Sequence, residues 1–226
     1  MIEFGKAPNP ARDEPLRDGA GTGYLTRPAQ PNGAGVLVLH AWWGLNDAFT
    51  AIADDLAGEG YTALAPDCYG DGDAATTVER AQAKVDAMDM VNAEQVLLGA
   101  FDRLAEQVDG RVATVGFSLG CSTGLWLARK RPDRLAANVL YYGTGQPADG
   151  RAPVLGHFAD DDKWEAASDV DALEAELRSS GRPVTFHRYA GVDHWFAEHD
   201  RPEYDEAAAT LAWRRTLDFL REHLLG

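Results

Sequence analysis

The chain has 226 residues, 45% of them hydrophobic, and a formal net charge of −15. That length suits one large α/β domain spanning residues 1–226, with enough apolar residues for a single core. The acidic balance excludes nucleic acid and anionic membrane as partners and disfavours a strongly anionic substrate. No stretch reaches the roughly 20 apolar residues of a membrane span. Met1 to Pro8 carries no apolar signal core, so a cytoplasmic location is expected. Cys68 and Cys121 lie far apart. They offer no zinc-ligand spacing and no expected disulfide. Neither a metal nor an organic cofactor is expected for the chain.

In chain order, residues 1 to about 20 read as an irregular or weakly stranded lead-in, and Gly23–Arg27 as an edge strand ended by Pro28. Gly35–His40 is a continuous apolar run between turns, which suits a strand buried on both faces of a parallel sheet. Asn46-Asp47 can cap a helix to about Ala57, stopped by Gly58-Glu59-Gly60. Tyr61–Ala65 is the next strand, ended by Pro66-Asp67, and Ala74 to Asp109 is helical in pattern, as one helix or two. Val112–Val115 is a strand, Leu119–Lys130 a helix, and Ala137–Tyr142 and Ala152–Phe158 are two further strands. Trp164–Ser180 is a helix with Val170, Leu173 and Leu177 near helical spacing; Pro183–Tyr189 is the last strand; Tyr204–Leu225 is the closing helix. Strands alternating with helices predict an α/β fold with a mostly parallel, doubly wound sheet. The short Gly/Pro-rich link between Tyr141 and Val154 leaves little room for a lid domain.

The strand at Val112 and the helix at Leu119 enclose Gly116-Phe117-Ser118-Leu119-Gly120. A G-x-S-x-G between strand and helix reads as a nucleophile elbow. The turn is tight enough to strain the serine, and the glycines on either side make room for it. It lifts the hydroxyl to the carboxyl edge of the sheet and aims backbone N–H groups at the same point. A serine hydroxyl needs a base, and the base needs a carboxylate to fix its tautomer.

In this architecture the order is serine, acid, histidine. His194 lies in the loop after the last strand, where the base belongs; His199 is its nearest rival, and His40, His157, His187 and His223 fall on strands or the last helix. The acid should follow the penultimate strand, where Asp160, Asp161 and Asp162 stand together and are not separable by this reasoning. The loop His40-Ala41-Trp42-Trp43-Gly44 should supply one oxyanion N–H, assigned to Trp42, and Leu119 the other. Trp43, Phe117 and Trp195 are candidate substrate contacts and favour an apolar acyl or alcohol group.

With these residues in place the chain resembles the dienelactone hydrolase family of α/β-hydrolases. The resemblance runs from about Gly23 to the C-terminus. It rests on His40-Ala41-Trp42-Trp43-Gly44-Leu45-Asn46, on Ala65-Pro66-Asp67-Cys68-Tyr69-Gly70 and on the elbow. Pro153 to Asp162 and Tyr189 to Phe196 complete it. It implies the α/β-hydrolase fold, Asp162 as the acid and His194 as the base. The family's best-known members carry cysteine at the elbow, where Ser118 stands, and glutamate where Ala41 stands. They hold an anionic lactone with arginines; one of these falls near Glu198, where the charge is reversed, and Arg80 is a loose match for another. The expected function is therefore a serine hydrolase of a small, neutral or apolar ester or lactone. One alternative is a dienelactone hydrolase (carboxymethylenebutenolidase) of aromatic degradation, and another a non-catalytic small-molecule binding module. Acyl transfer and amide cleavage use the same triad.

Overall fold

The computed structural model describes residues 12–15, 22–147 and 150–226. The chain divides into two compact units, Met1–Val112 and Ala113–Gly226. Most of the expected lead-in lies outside the described residues; Arg12–Pro15 forms a strand, β1.

In the first unit the strand order is β1, β2 (Thr22–Thr26), β4 (Thr62–Pro66), β3 (Gly35–Leu39). β2 runs antiparallel to both neighbours, and β3 pairs with β4 in parallel. Every residue of β3 and β4 is buried, as the unbroken apolar run of β3 predicts for that strand. Helix α1 (Asp47–Gly58) starts where Asn46 accepts the N–H groups of Ala48 and Phe49. It buries Phe49, Ile52 and Leu56. The stretch of undecided helix number is two helices, α2 (Val78–Ala87) and α3 (Met90–Gln107). The break falls where Asp89 turns its carboxylate onto the N–H groups of Val91 and Asn92 and so caps α3. On α3, Val96, Leu97, Ala100, Phe101 and Leu104 form the apolar stripe, and α3 packs on β3 and β4.

The second unit has the order β5 (Val112–Phe117), β6 (Leu135–Tyr141), β7 (Val154–Ala159), β8 (Val184–Tyr189). β6, β7 and β8 are parallel, with α5 (Ala167–Ser179) joining β7 to β8, while α4 (Leu119–Lys130) joins β5 to β6 and α6 (Glu206–Leu225) closes the chain. Alternating strand residues serve opposite faces. Leu140, Val154 and Phe158 join Cys121 and Leu125 of α4 and Val170, Leu173 and Leu177 of α5 in one core. Tyr141 and His157 point the other way, to Thr216 of α6.

Several boundaries differ from the sequence reading by a residue or more, three of them for a local reason. β6 ends at Tyr141, because Tyr142 leaves the strand with φ at 42°. α5 begins at Ala167 rather than Trp164, because Asp162 Oδ1 accepts the N–H groups of Trp164 and Glu165 and holds them in a turn. α6 begins after Asp205, whose carboxylate caps Ala208 N–H at 2.8 Å.

Candidate active site

Ser118 follows β5 and starts α4 with φ 50° and ψ −112°. This backbone conformation is sparsely populated for a residue with a side chain. The elbow closes so tightly that a Cβ on Gly116 would lie 2.4 Å from Gly120 O, which is why glycine stands there. The strand end of β6 clamps the turn from the side. Ser118 N–H donates to Tyr141 O at 2.9 Å, and a Cβ on Gly143 would lie 2.4 Å from Ser118 O. Ser118 holds the cap position of α4, yet its side chain makes no capping bond. Its hydroxyl lies instead 3.0 Å from His194 Nε2.

His194 follows β8, and its side chain is 4% exposed. Its Nδ1 lies 2.7 Å from Asp162 Oδ2, and the Asp162 side chain is equally buried. An ionised carboxylate only accepts, so Nδ1 carries the proton and Nε2 presents its lone pair to the serine. The other Asp162 oxygen accepts from Trp164 N at 2.8 Å and Glu165 N at 3.0 Å. Those bonds single out Asp162 from its neighbours. Asp160 and Asp161 are exposed, and Asp160 contributes its backbone N–H to Tyr189 O.

The remaining histidines are committed elsewhere or exposed. His40 is buried in the first unit; its Nδ1 donates to Ala41 O at 2.6 Å and its Nε2 accepts from Cys68 N at 3.1 Å. His157 is bonded to Tyr189 and Thr216. His187 stacks on His157, His223 packs edge-on against Phe219, and His199 is exposed.

The aromatic residues divide. Trp195 takes φ 64° and packs edge-on to His194 at 4.9 Å, with Trp164 against its other side at 5.2 Å. Trp164, which the sequence reading left inside a helix, is half exposed. Phe117 and Trp43 are 1% and 3% exposed. Phe117 stacks on Tyr141 at 4.7 Å, because successive residues of β5 face opposite ways and the turn residue alone reaches the edge. Its ring therefore packs inside the unit rather than forming a wall. Trp42 and Trp43 are edge to face on the loop after β3 in the first unit. Leu119 opens α4, with its N–H at the positive end of the helix.

Glu165 and Thr144 are site neighbours that the sequence reading missed. Thr144 donates its hydroxyl to Glu165 at 2.6 Å and its N–H at 3.2 Å, tying the loop after β6 to the acid loop. Burial raises the Glu165 pKa above the ordinary value, against these two bonds and the nearby His194, which lower it.

The first unit holds a cavity of about 350 Å³ lined by Cys68, Tyr69, Lys84, Met88 and Asn92 among others. Its two cations are already paired, Arg80 with Asp73 and Lys84 with Asp71. Among the described residues no group of three or more His, Cys, Asp or Glu could hold a metal ion, and no helix is long and apolar enough to cross a membrane.

A parallel sheet with a serine elbow, and with acid and histidine on later loops at the carboxyl edge, is the arrangement of the α/β-hydrolase fold. The sequence profile of the dienelactone hydrolase family matches residues 22–224, and the chain belongs to that family. It is thus a hydrolase of the α/β type. "Protein usf" of Aquifex pyrophilus is 29% identical over 216 residues, covering 89% of this chain and 93% of that protein. An Aquifex aeolicus protein provisionally named carboxymethylenebutenolidase is 27% identical, with the same coverage. Among solved structures, a dienelactone hydrolase-like promiscuous phosphotriesterase from metagenomic libraries superposes with a TM-score of 0.80 at 27% identity. It covers 95% of this chain and 98% of its own.

Proposed function

We propose that the protein is a serine hydrolase that cleaves a small, neutral or apolar carboxylic ester or lactone through an acyl-enzyme. The observation that carries this reading is the unbroken hydrogen-bond chain from Ser118 Oγ to His194 (3.0 Å) to Asp162 (2.7 Å). His194 Nε2 takes the Ser118 proton as Oγ attacks the carbonyl carbon. Asp162 holds the tautomer and stabilises the imidazolium. The carbonyl oxygen becomes an oxyanion, bound by the N–H of Leu119 at the head of α4. The second donor, the N–H of Trp42, is proposed on its place in the chain order alone. His194 then gives its proton to the leaving alkoxide, which departs as alcohol. Water attacks the acyl-serine, its proton passes to His194, and the acid leaves as Oγ regains a proton. No step calls for a metal or an organic cofactor.

Cleavage of a carboxylate-bearing dienelactone is the second reading, favoured by the family and by the name of the Aquifex aeolicus relative. Against it, Arg80 is already paired with Asp73, and the residue four past His194 is an acid, Glu198. A neutral ester should therefore be preferred to an anionic lactone of equal size.

The test is intact mass after treatment with a fluorophosphonate, on wild type and Ser118→Ala. One adduct on wild type and none on the variant is the expected result. A folded wild type that takes no adduct would remove the serine mechanism and favour a binding role for the fold.

A further inference from the structure

Two buried ionisable side chains, Tyr142 and Glu198, take no part in the steps above, yet both lie against the triad. Tyr142 is the first residue beyond β6 and is wholly buried, with φ at 42°. Such a conformation is strained for a bulky residue and persists only where its surroundings impose it. Here both ends of the residue are fixed. Its N–H donates to His157 O at 2.7 Å, and the preceding carbonyl, Tyr141 O, accepts from Ser118 N–H at 2.9 Å. Its side chain is thereby turned toward the loop that carries the base. The ring lies 5.0 Å from the His194 ring and 5.4 Å from Phe196, and the hydroxyl donates to Glu198 Oε1 at 3.0 Å.

Glu198 is also wholly buried, four residues past His194. Its N–H closes the turn onto Trp195 O at 2.9 Å. Its second oxygen, Oε2, has no hydrogen-bond partner among the described residues. A carboxylate needs several donors to be stable away from water. One phenol and the nearby charge of Arg201 offset only part of the cost of burying an anion, whereas the phenol is adequate for a neutral acid.

We propose that Tyr142 and Glu198 are positioning residues that seat the His194 loop against the end of β6, and that the seat holds only while Glu198 is a neutral carboxylic acid. The inference rests on the serine-hydrolase reading, because what is seated is the base. Glu198 faces Tyr142 just past β6, and Asp200, Arg201 and Glu203 from its own segment; Tyr142 also faces Tyr141 of β6, Cys121 of α4 and His194 of the base loop. Burial comes first and pushes the Glu198 pKa up to about 8. Asp200 and Glu203 add to it, against the Tyr142 bond and Arg201. When Glu198 loses its proton, an unsolvated anion stands beside the phenol that packs on His194. Moving the loop toward water relieves it, and Ser118 loses its base.

The experiment measures the rate of Ser118 labelling by a fluorophosphonate, read by intact mass from about pH 6 to about pH 10, for wild type, Glu198→Gln and Tyr142→Phe. In wild type the rate should climb to a plateau and fall again above about pH 8. Glu198→Gln has nearly the same shape, still accepts from Tyr142 through its amide oxygen, and cannot ionise. It should keep the neutral rate and lose the alkaline fall. Tyr142→Phe removes the bond and should lower the plateau about tenfold, the effect of one buried hydrogen bond. An alkaline fall of the same midpoint in Glu198→Gln and wild type, or a wild-type rate in Tyr142→Phe, would overturn the seat while leaving the triad intact. Absence of labelling in folded wild type would overturn both. If Glu198→Gln does not fold, a wild type without an alkaline fall, or an unaffected Tyr142→Phe, still decides against the proposal.

Discussion

His157 and His194 are both buried in the second unit, and each has a partner on both ring nitrogens, yet the proposed mechanism gives them opposite tasks. His194 has a carboxylate on one nitrogen and an alcohol on the other, 2.7 and 3.0 Å away. Its partners differ in acidity, so a proton has a direction in which to move. His157 sits between two hydroxyls, Tyr189 at 2.8 Å and Thr216 at 3.1 Å. No carboxylate is bonded to it, and burial, then His187 and Arg215, hold its pKa well below the ordinary value. It stays neutral and ties β7 to β8 and α6. The comparison teaches that a buried, bonded histidine is not a base by virtue of its burial. Both the acid behind it and a strained hydroxyl in front are needed.

The strongest way to break the comparison is to make the two histidines alike by removing the acid. Asp162→Asn leaves a group of nearly the same shape but one that can hold His194 in the wrong tautomer. Esterase turnover should fall about 10⁴-fold with the fold retained, as measured by steady-state kinetics and circular dichroism. A drop below about tenfold would assign Asp162 to the loop turn alone, through its bonds to Trp164 and Glu165.

The converse change falls on His157. His157→Ala should cost about 2–4 kcal/mol in urea unfolding, from the cavity and the lost hydrogen bonds. The rate of Ser118 labelling should change little, since the bond from Tyr142 N–H runs to the backbone oxygen of His157, which the substitution keeps. The pH dependence adds a sign. The folded pKa of His157 is depressed below 6.5, so the unfolded chain binds the extra proton as pH falls. The stability that the neutral ring contributes is present above pH 6.5 and is lost toward acid. His157→Ala should lack that part of the acid slope. Glu198 works in the opposite sense: its pKa is raised from 4.5 to about 8, so its stabilising effect is present below pH 4.5 and declines as pH rises to about 8.

The sequence revealed the parts of this contrast that depend on local pattern. β3 and β5 are apolar runs bounded by turns, and the elbow carries its own glycines, so the strands and Ser118 were legible without tertiary contacts. His194 was legible from its place after the last strand. Asp162 was not, because three adjacent aspartates differ only in which one a turn directs inward; the resemblance to the family supplied it. Tyr142 was read as one more strand residue. Its positive φ is imposed by the clamp on Ser118 and by the close approach of Gly143, both long-range contacts. Glu198 was read as a reversed charge, but burial, which no single letter shows, raises its pKa to about 8. Trp43, Phe117 and Trp195 are candidate substrate contacts by residue type and chain order alone, and the burial of all three is a tertiary property that neither shows.

The smallest expected effect concerns Thr144, which joins the loop after β6 to the acid loop through Glu165. Thr144→Val removes the hydroxyl donor at nearly constant volume and leaves the backbone N–H bond in place. Glu165 is only partly buried, so water can replace the lost donor, and the cost should be about 1 kcal/mol in urea unfolding. Turnover should stay within about threefold, because Asp162 is held by two backbone N–H groups that Thr144 does not touch. A tenfold loss of turnover at unchanged stability would mean that the acid is aimed by the Thr144–Glu165 tie as well as by its own turn. The difference between His194 and His157 would then extend a further residue outward, to the support behind the carboxylate.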